Sequence, residues 1–80
     1  MNNEELKRER FIKIAENRTN KIITTLKLLG NCSNKNNYNY TQEDVRAIFN
    51  AIDAELRNTK SKFNKHEKSK FSLRKETNNE

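Results

Sequence analysis

Thr41-Gln42-Glu43-Asp44-Val45-Arg46-Ala47-Ile48-Phe49-Asn50-Ala51-Ile52-Asp53-Ala54-Glu55-Leu56 opens with a hydroxyl at a helix N-cap position and an acid three residues on. That spacing is a capping box, in which two orphan amide donors are satisfied reciprocally, here with Asp in place of the usual Glu. Val45, Phe49, Ile52, Leu56, Thr59 and Phe63 then follow at alternating steps of four and three, with Ile48 beside them. This period is the seam of a coiled-coil-like helix, and Thr59 is its weak position. Beyond Phe63 only His66 and Lys70 continue the pattern, which predicts a helix over about 42–68, fraying between about 65 and 70. Residues 71–80, ending Asn78-Asn79-Glu80, read as a basic, polar and mobile tail behind a helical domain of residues 1–70.

Upstream lies Asn31-Cys32-Ser33-Asn34-Lys35-Asn36-Asn37-Tyr38-Asn39-Tyr40, whose short polar side chains compete with the backbone for hydrogen bonds and break helices. It predicts a connecting loop over 30–41. Before it, Phe11, Ile14, Ala15, Ile22, Leu26 and Leu29 recur at helical spacing and predict a first helix over about 4–29. Glu4 and Glu5 suit the positive end of its macrodipole, and Gly30 stands where a left-handed C-terminal residue belongs. Ile12 and Ile23 widen the stripe to nearly half the circumference, enough to touch two neighbours.

Two helices joined by such a loop are expected to fold back as an antiparallel hairpin, in which Leu29 and Leu26 meet Val45 and Ile48, Ile22 meets Ile52, and Phe11 meets Phe63. The fold class expected is therefore all-α. Eighty residues with 31% hydrophobic content bury little, so a second hairpin is expected to complete a four-helix bundle as a homodimer through the first helix. A heterologous protein partner would supply the burial equally well.

One Gly, no Pro and 35% charged residues leave little of the punctuation that sheets and phosphate-cradling loops require. Apolar residues come in short runs such as Leu28-Leu29, so no transmembrane span or signal-peptide core is expected, and the chain reads as cytoplasmic with no membrane partner. One Cys and one His are too few for a structural metal site. Cys32 has no activating base nearby in sequence, and His66 has no oriented second group. The acid pairs Glu4-Glu5 and Glu43-Asp44 are explained by helix dipoles. No enzyme activity, cofactor, metal or small-molecule substrate is expected.

The net charge of +6 is unevenly spread: +3 over residues 1–30, −1 over 31–59 and +4 over 60–80. Hairpin closure would bring the two basic ends to one pole, where Lys7, Arg8, Arg10 and Lys13 would join Lys60, Lys62, Lys65, Lys68, Lys70, Arg74 and Lys75. Such a cluster binds phosphates by counterion release without reading bases. The plainer interpretation is a solvated tail that keeps the protein soluble. Arg18 falls inside the apolar stripe, where it would pair with Glu55 or Asp53 across the hairpin or snorkel to the helix edge. Tyr38 and Tyr40, alternating with Asn at the opposite pole, would cover the end of the core, or would stack on bases or anchor a protein interface. With Ile12, Ile23 and Arg18 they make up the candidate interface residues.

The run Arg10-Phe11-Ile12-Lys13-Ile14-Ala15-Glu16-Asn17-Arg18-Thr19, the segment Gly30 to Asn34 with Asn37-Tyr38, and Tyr40-Thr41-Gln42-Glu43-Asp44-Val45 resemble small uncharacterised helical proteins from mobile elements and phages of AT-rich Gram-positive bacteria. The resemblance spans about residues 8–63. It implies a setting in which small proteins assist DNA transfer, control replication or counter host defence, and it transfers no functional residue. Two functions are expected to compete. One is a non-enzymatic nucleic-acid-binding accessory protein contacting phosphates non-specifically, since the long loop disfavours a helix-turn-helix. The other is an inhibitor or adaptor that docks on a larger nucleic-acid-handling protein.

Overall fold

The computed structural model describes residues 2–68, with side chains described through Asn64. Two helices make up its regular structure: α1 over Asn3–Asn31 and α2 over Gln42–Lys68, with no strand among the described residues. The chain divides into two units, 1–39 and 40–80, each built around one helix.

In the first unit the helix begins one residue earlier than the apolar pattern indicated, because Asn2 is its N-cap. The Asn2 backbone is extended (φ −84°, ψ 171°), and its side-chain oxygen accepts from the Glu5 amide at 2.8 Å. The Leu6 amide closes the first turn on the Asn2 carbonyl at 3.1 Å. Glu4 and Glu5 fill that turn, where carboxylates meet the positive end of the helix dipole. Further along, Ile22-Ile23-Thr24-Thr25 is a run of β-branched residues, which restrict their own rotamers in a helix. Helix persists through it, with the Thr25 hydroxyl donating back to the Lys21 carbonyl at 2.8 Å.

The C-terminus of α1 corrects the expectation for Gly30. That glycine lies inside the helix and outside the left-handed region, and the helix ends at Asn31 with Cys32 as C-cap in the right-handed region (φ −72°, ψ −5°). The terminal carbonyls are satisfied by tightening instead of reversal. Cys32 donates to Leu29 at 2.9 Å, Ser33 to Gly30 at 3.1 Å and Asn34 to Asn31 at 3.4 Å, all three-residue closures. Asn34 then organises the turn that follows. Its side-chain oxygen accepts from the Asn36 amide at 2.9 Å, while its carbonyl accepts from Asn37 at 3.1 Å and Tyr38 at 3.0 Å. This is an Asx turn, the local hydrogen bonding by which Asn diverts a chain from helix.

In the second unit the capping box is complete. The Thr41 hydroxyl oxygen accepts from the Asp44 amide at 3.0 Å, and Asp44 Oδ2 accepts from the Thr41 amide at 2.9 Å. The Val45 amide closes on the Thr41 carbonyl at 3.2 Å, and α2 runs on to Lys68, the predicted bound. The tail predicted for 71–80 lies outside the described residues.

No described residue is buried. Ala15 and Leu29 in the first unit, and Tyr40, Val45 and Ile52 in the second, are half-buried. The other large apolar side chains of both seams stand in solvent, from Ile12 at 39% to Phe63 at 63% exposure. No helix among the described residues is long and apolar enough to cross a membrane.

Candidate nucleic-acid interface

The basic residues near the start of α1 divide into two groups. Lys7, Arg10 and Lys13 follow one another at steps of three, so successive side chains are neighbours on the helix surface, and the row climbs about 9 Å along the axis. All three are exposed. Arg8 lies off this row, and both it and Lys7, three and four residues before Phe11, fall within the arc of the apolar stripe. Its guanidinium carbon stands 6.0 Å from the centroid of the Phe11 ring, the outer edge of cation–π range. Lys7 also approaches Glu4 at 3.8 Å, with both side chains largely in water at 69% and 85% exposure. A pair so exposed and so long leaves the ammonium available to another anion.

A shallow depression on the first turns of α1 is lined by Asn2, Glu4, Glu5, Arg8 and Glu9. Its three carboxylates make it repellent to phosphate, so anion contact belongs to the row of Lys7, Arg10 and Lys13 on the helix flank. The dipole gives no reason for cations here, since the N-terminal end of a helix favours negative charge.

On α2, Lys60 and Lys62 are both exposed but sit two residues apart, on opposite flanks of the seam. They do not form one patch on their own helix. Lys60 instead shares a flank with Arg57, three residues before it, a neighbour that reading the charges by chain ends passed over. The i, i+3 spacing of two cations was the available signal. Lys65 and Lys68 fall in the last turns of α2, where cations complement the negative end of the helix, and their side chains lie outside those described. Lys70, Arg74 and Lys75 lie outside the described residues.

Among the other candidates, Arg18 is exposed, so within the first unit its charge is solvated. Ile12 is 39% and Ile23 46% exposed on the same broad side of α1. Tyr38 is 52% exposed after the Asn34 turn, whereas Tyr40 is half-buried just before the Thr41 cap. The Cys32 thiol is exposed and lies 3.9 Å from the Leu28 carbonyl, a weak contact with its own helix. Among the described residues no three His, Cys, Asp or Glu side chains gather where a metal ion could be held.

No family model, no curated protein and no solved structure matches this chain.

Proposed function

We propose that this chain is a small non-enzymatic nucleic-acid-binding accessory or regulatory protein of a mobile element or phage, acting in the cytoplasm as a homodimer. It contacts phosphates through Lys7, Arg10 and Lys13 on α1 and through Lys60, Lys62 and the basic residues that follow them. The observation that carries this function is the exposed row of three cations on α1, placed where neither an ion pair of any strength nor the helix dipole accounts for them. The +4 charge of residues 60–80 supports it from the other end of the chain. The two segments would act together if the helices packed, either as an antiparallel hairpin within one chain, two of which would form a four-helix bundle, or between chains.

Binding of this kind is sequence-independent and governed by counterion release. The test is the affinity for a random-sequence duplex and for single strands, read by fluorescence anisotropy at two salt concentrations. Affinity that falls steeply between about 50 and 200 mM salt supports phosphate contact, and absent or salt-indifferent binding refutes it.

A second function, a protein-binding inhibitor or adaptor, is favoured by one specific observation. The broad apolar side of α1 presents Phe11 at 50%, Ile22 at 60% and Ile23 at 46% exposure. A stoichiometric protein captured through that side, and lost on Ile22→Asp, would establish it in place of nucleic-acid binding.

A further inference from the structure

The seam of α2 carries a charge pattern on its flanks that says what covers it. Counting by heptads, Val45, Ile52 and Thr59 take d positions and Phe49, Leu56 and Phe63 take a positions. The flanking g positions are then Ile48, Glu55 and Lys62, and the e positions are Arg46, Asp53 and Lys60. Phe49, Leu56 and Phe63 are 45%, 51% and 63% exposed, so the second unit does not cover its own seam. Thr59, its one polar member, has its hydroxyl 3.4 Å from the Glu55 carboxylate, a long contact on the seam's flank.

We infer that the α2 seam is covered by α2 of a second copy of this chain, packed parallel and in register. In that arrangement a g residue faces the e residue five positions on in its neighbour. Glu55 then meets Lys60 of the other copy, and symmetry makes the contact twice. Ile48 meets Asp53 without conflict, and the sequence repeats the acid–base spacing, with signs exchanged, at Lys62 and Glu67. Antiparallel self-packing pairs g with g and e with e. With Val45 against Phe63 and Ile52 against Leu56, it would set Glu55 against Glu55, Asp53 against Asp53 and Arg46 against Lys60. Every one of those contacts is repulsive, and the antiparallel register one heptad on, which would pair Glu55 with Lys62 and Asp53 with Lys60, leaves Val45 and Phe49 opposite no apolar seam residue, so seam and flanks together favour the parallel alignment. Leu at a with Ile at d, as at Leu56 and Ile52, further favours bundles of more than two helices, so the same parallel contact can recur around a larger assembly.

The pairing rests on the seam and its flanks and stands apart from phosphate binding, so it is tested without nucleic acid. Cysteine cross-linking reads the alignment directly, in a Cys32→Ser background that removes the native thiol. Residues 55 and 60 lie on opposite flanks of one helix and cannot bridge within a chain. Parallel packing predicts interchain disulfides only when Glu55→Cys and Lys60→Cys are combined. Disulfides formed by Glu55→Cys alone would establish antiparallel packing and overturn the inference. So would an intrachain disulfide in an Ile22→Cys, Ile52→Cys variant, which would place α1 on the seam, or a monomer by ultracentrifugation at every concentration. Charge exchange supplies an independent measure. Glu55→Lys should weaken self-association by between about 4-fold and 30-fold, from reversal of two exposed pairs, and adding Lys60→Glu should restore it. Failure of the second change to restore association would overturn the pairing even if cross-links formed.

Discussion

Replacing Thr41 with Ala removes one of the two capping-box bonds at the start of α2, and the structure sets the size of the effect. The lost acceptor is the hydroxyl oxygen 3.0 Å from the Asp44 amide, while the return bond from the Thr41 amide to Asp44 Oδ2, at 2.9 Å, uses the backbone and survives. Thr41 is exposed, so water replaces the missing partner and no buried donor is stranded. The cost therefore stays near the usual value for an N-cap, about 1 kcal/mol. For a domain of 60–100 residues that lowers the melting temperature by about 4–8 °C. Asp44→Ala should cost at least as much, because it also takes a carboxylate from the first turn. The double variant should lose less than the sum, since each single change already breaks the reciprocity of the box. Helical circular dichroism followed through thermal unfolding reads all three, at one protein concentration so that self-association does not shift the midpoint. Thr41→Ser should melt with the parent. If Thr41→Ala and Asp44→Ala both melted with the parent, the box would not be what holds the start of α2.

Gly30→Ala should stabilise the protein by about 0.5–1 kcal/mol, because the residue is helical and an added Cβ meets nothing within 4 Å. A loss of stability would instead show a left-handed Gly30. Asn34→Ala removes the side-chain acceptor of the Asn36 amide, and amide hydrogen exchange should quicken at Asn36 while the interior of α1 keeps its rate. Glu4→Gln should cost no more than the about 0.3–1 kcal/mol of a first-turn carboxylate at the helix dipole, because its contact with Lys7 is long and exposed. A larger loss would mean that Lys7 is held by Glu4 and withheld from phosphate.

The helices were legible in the sequence to different degrees for identifiable reasons. Thr41 and Asp44 carry a local signal, two side chains at a fixed spacing that bond to each other's backbone, and no tertiary context is needed to complete it. Asn2 offered the same kind of signal, with Glu5 three residues on, and a search for apolar periodicity passes over it because Leu6, the apolar residue that closes the first turn, falls off the stripe. Gly30 misled because glycine permits a left-handed ending without demanding one. Three successive closures from Cys32, Ser33 and Asn34 satisfy the last carbonyls and leave no need for the reversal. The candidate site was legible only as net charge by segment. Which cations stand side by side depends on helical phase, which groups Lys7 with Arg10 and Lys13, turns Arg8 toward Phe11, and separates Lys60 from Lys62.

The row on α1 is the point on which phosphate binding turns. Lys7, Arg10 and Lys13 are changed together to Gln, which is a good helix former and leaves the apolar side of α1 intact. The affinity for a random duplex is then measured across a salt series beside the parent chain. If the row engages phosphates, affinity falls and the slope of log affinity against log salt shrinks by up to about 2.7, from three contacts at roughly 0.9 each. An unchanged affinity and slope in the triple variant, with helix content retained, would contradict the account and assign these cations to solubility.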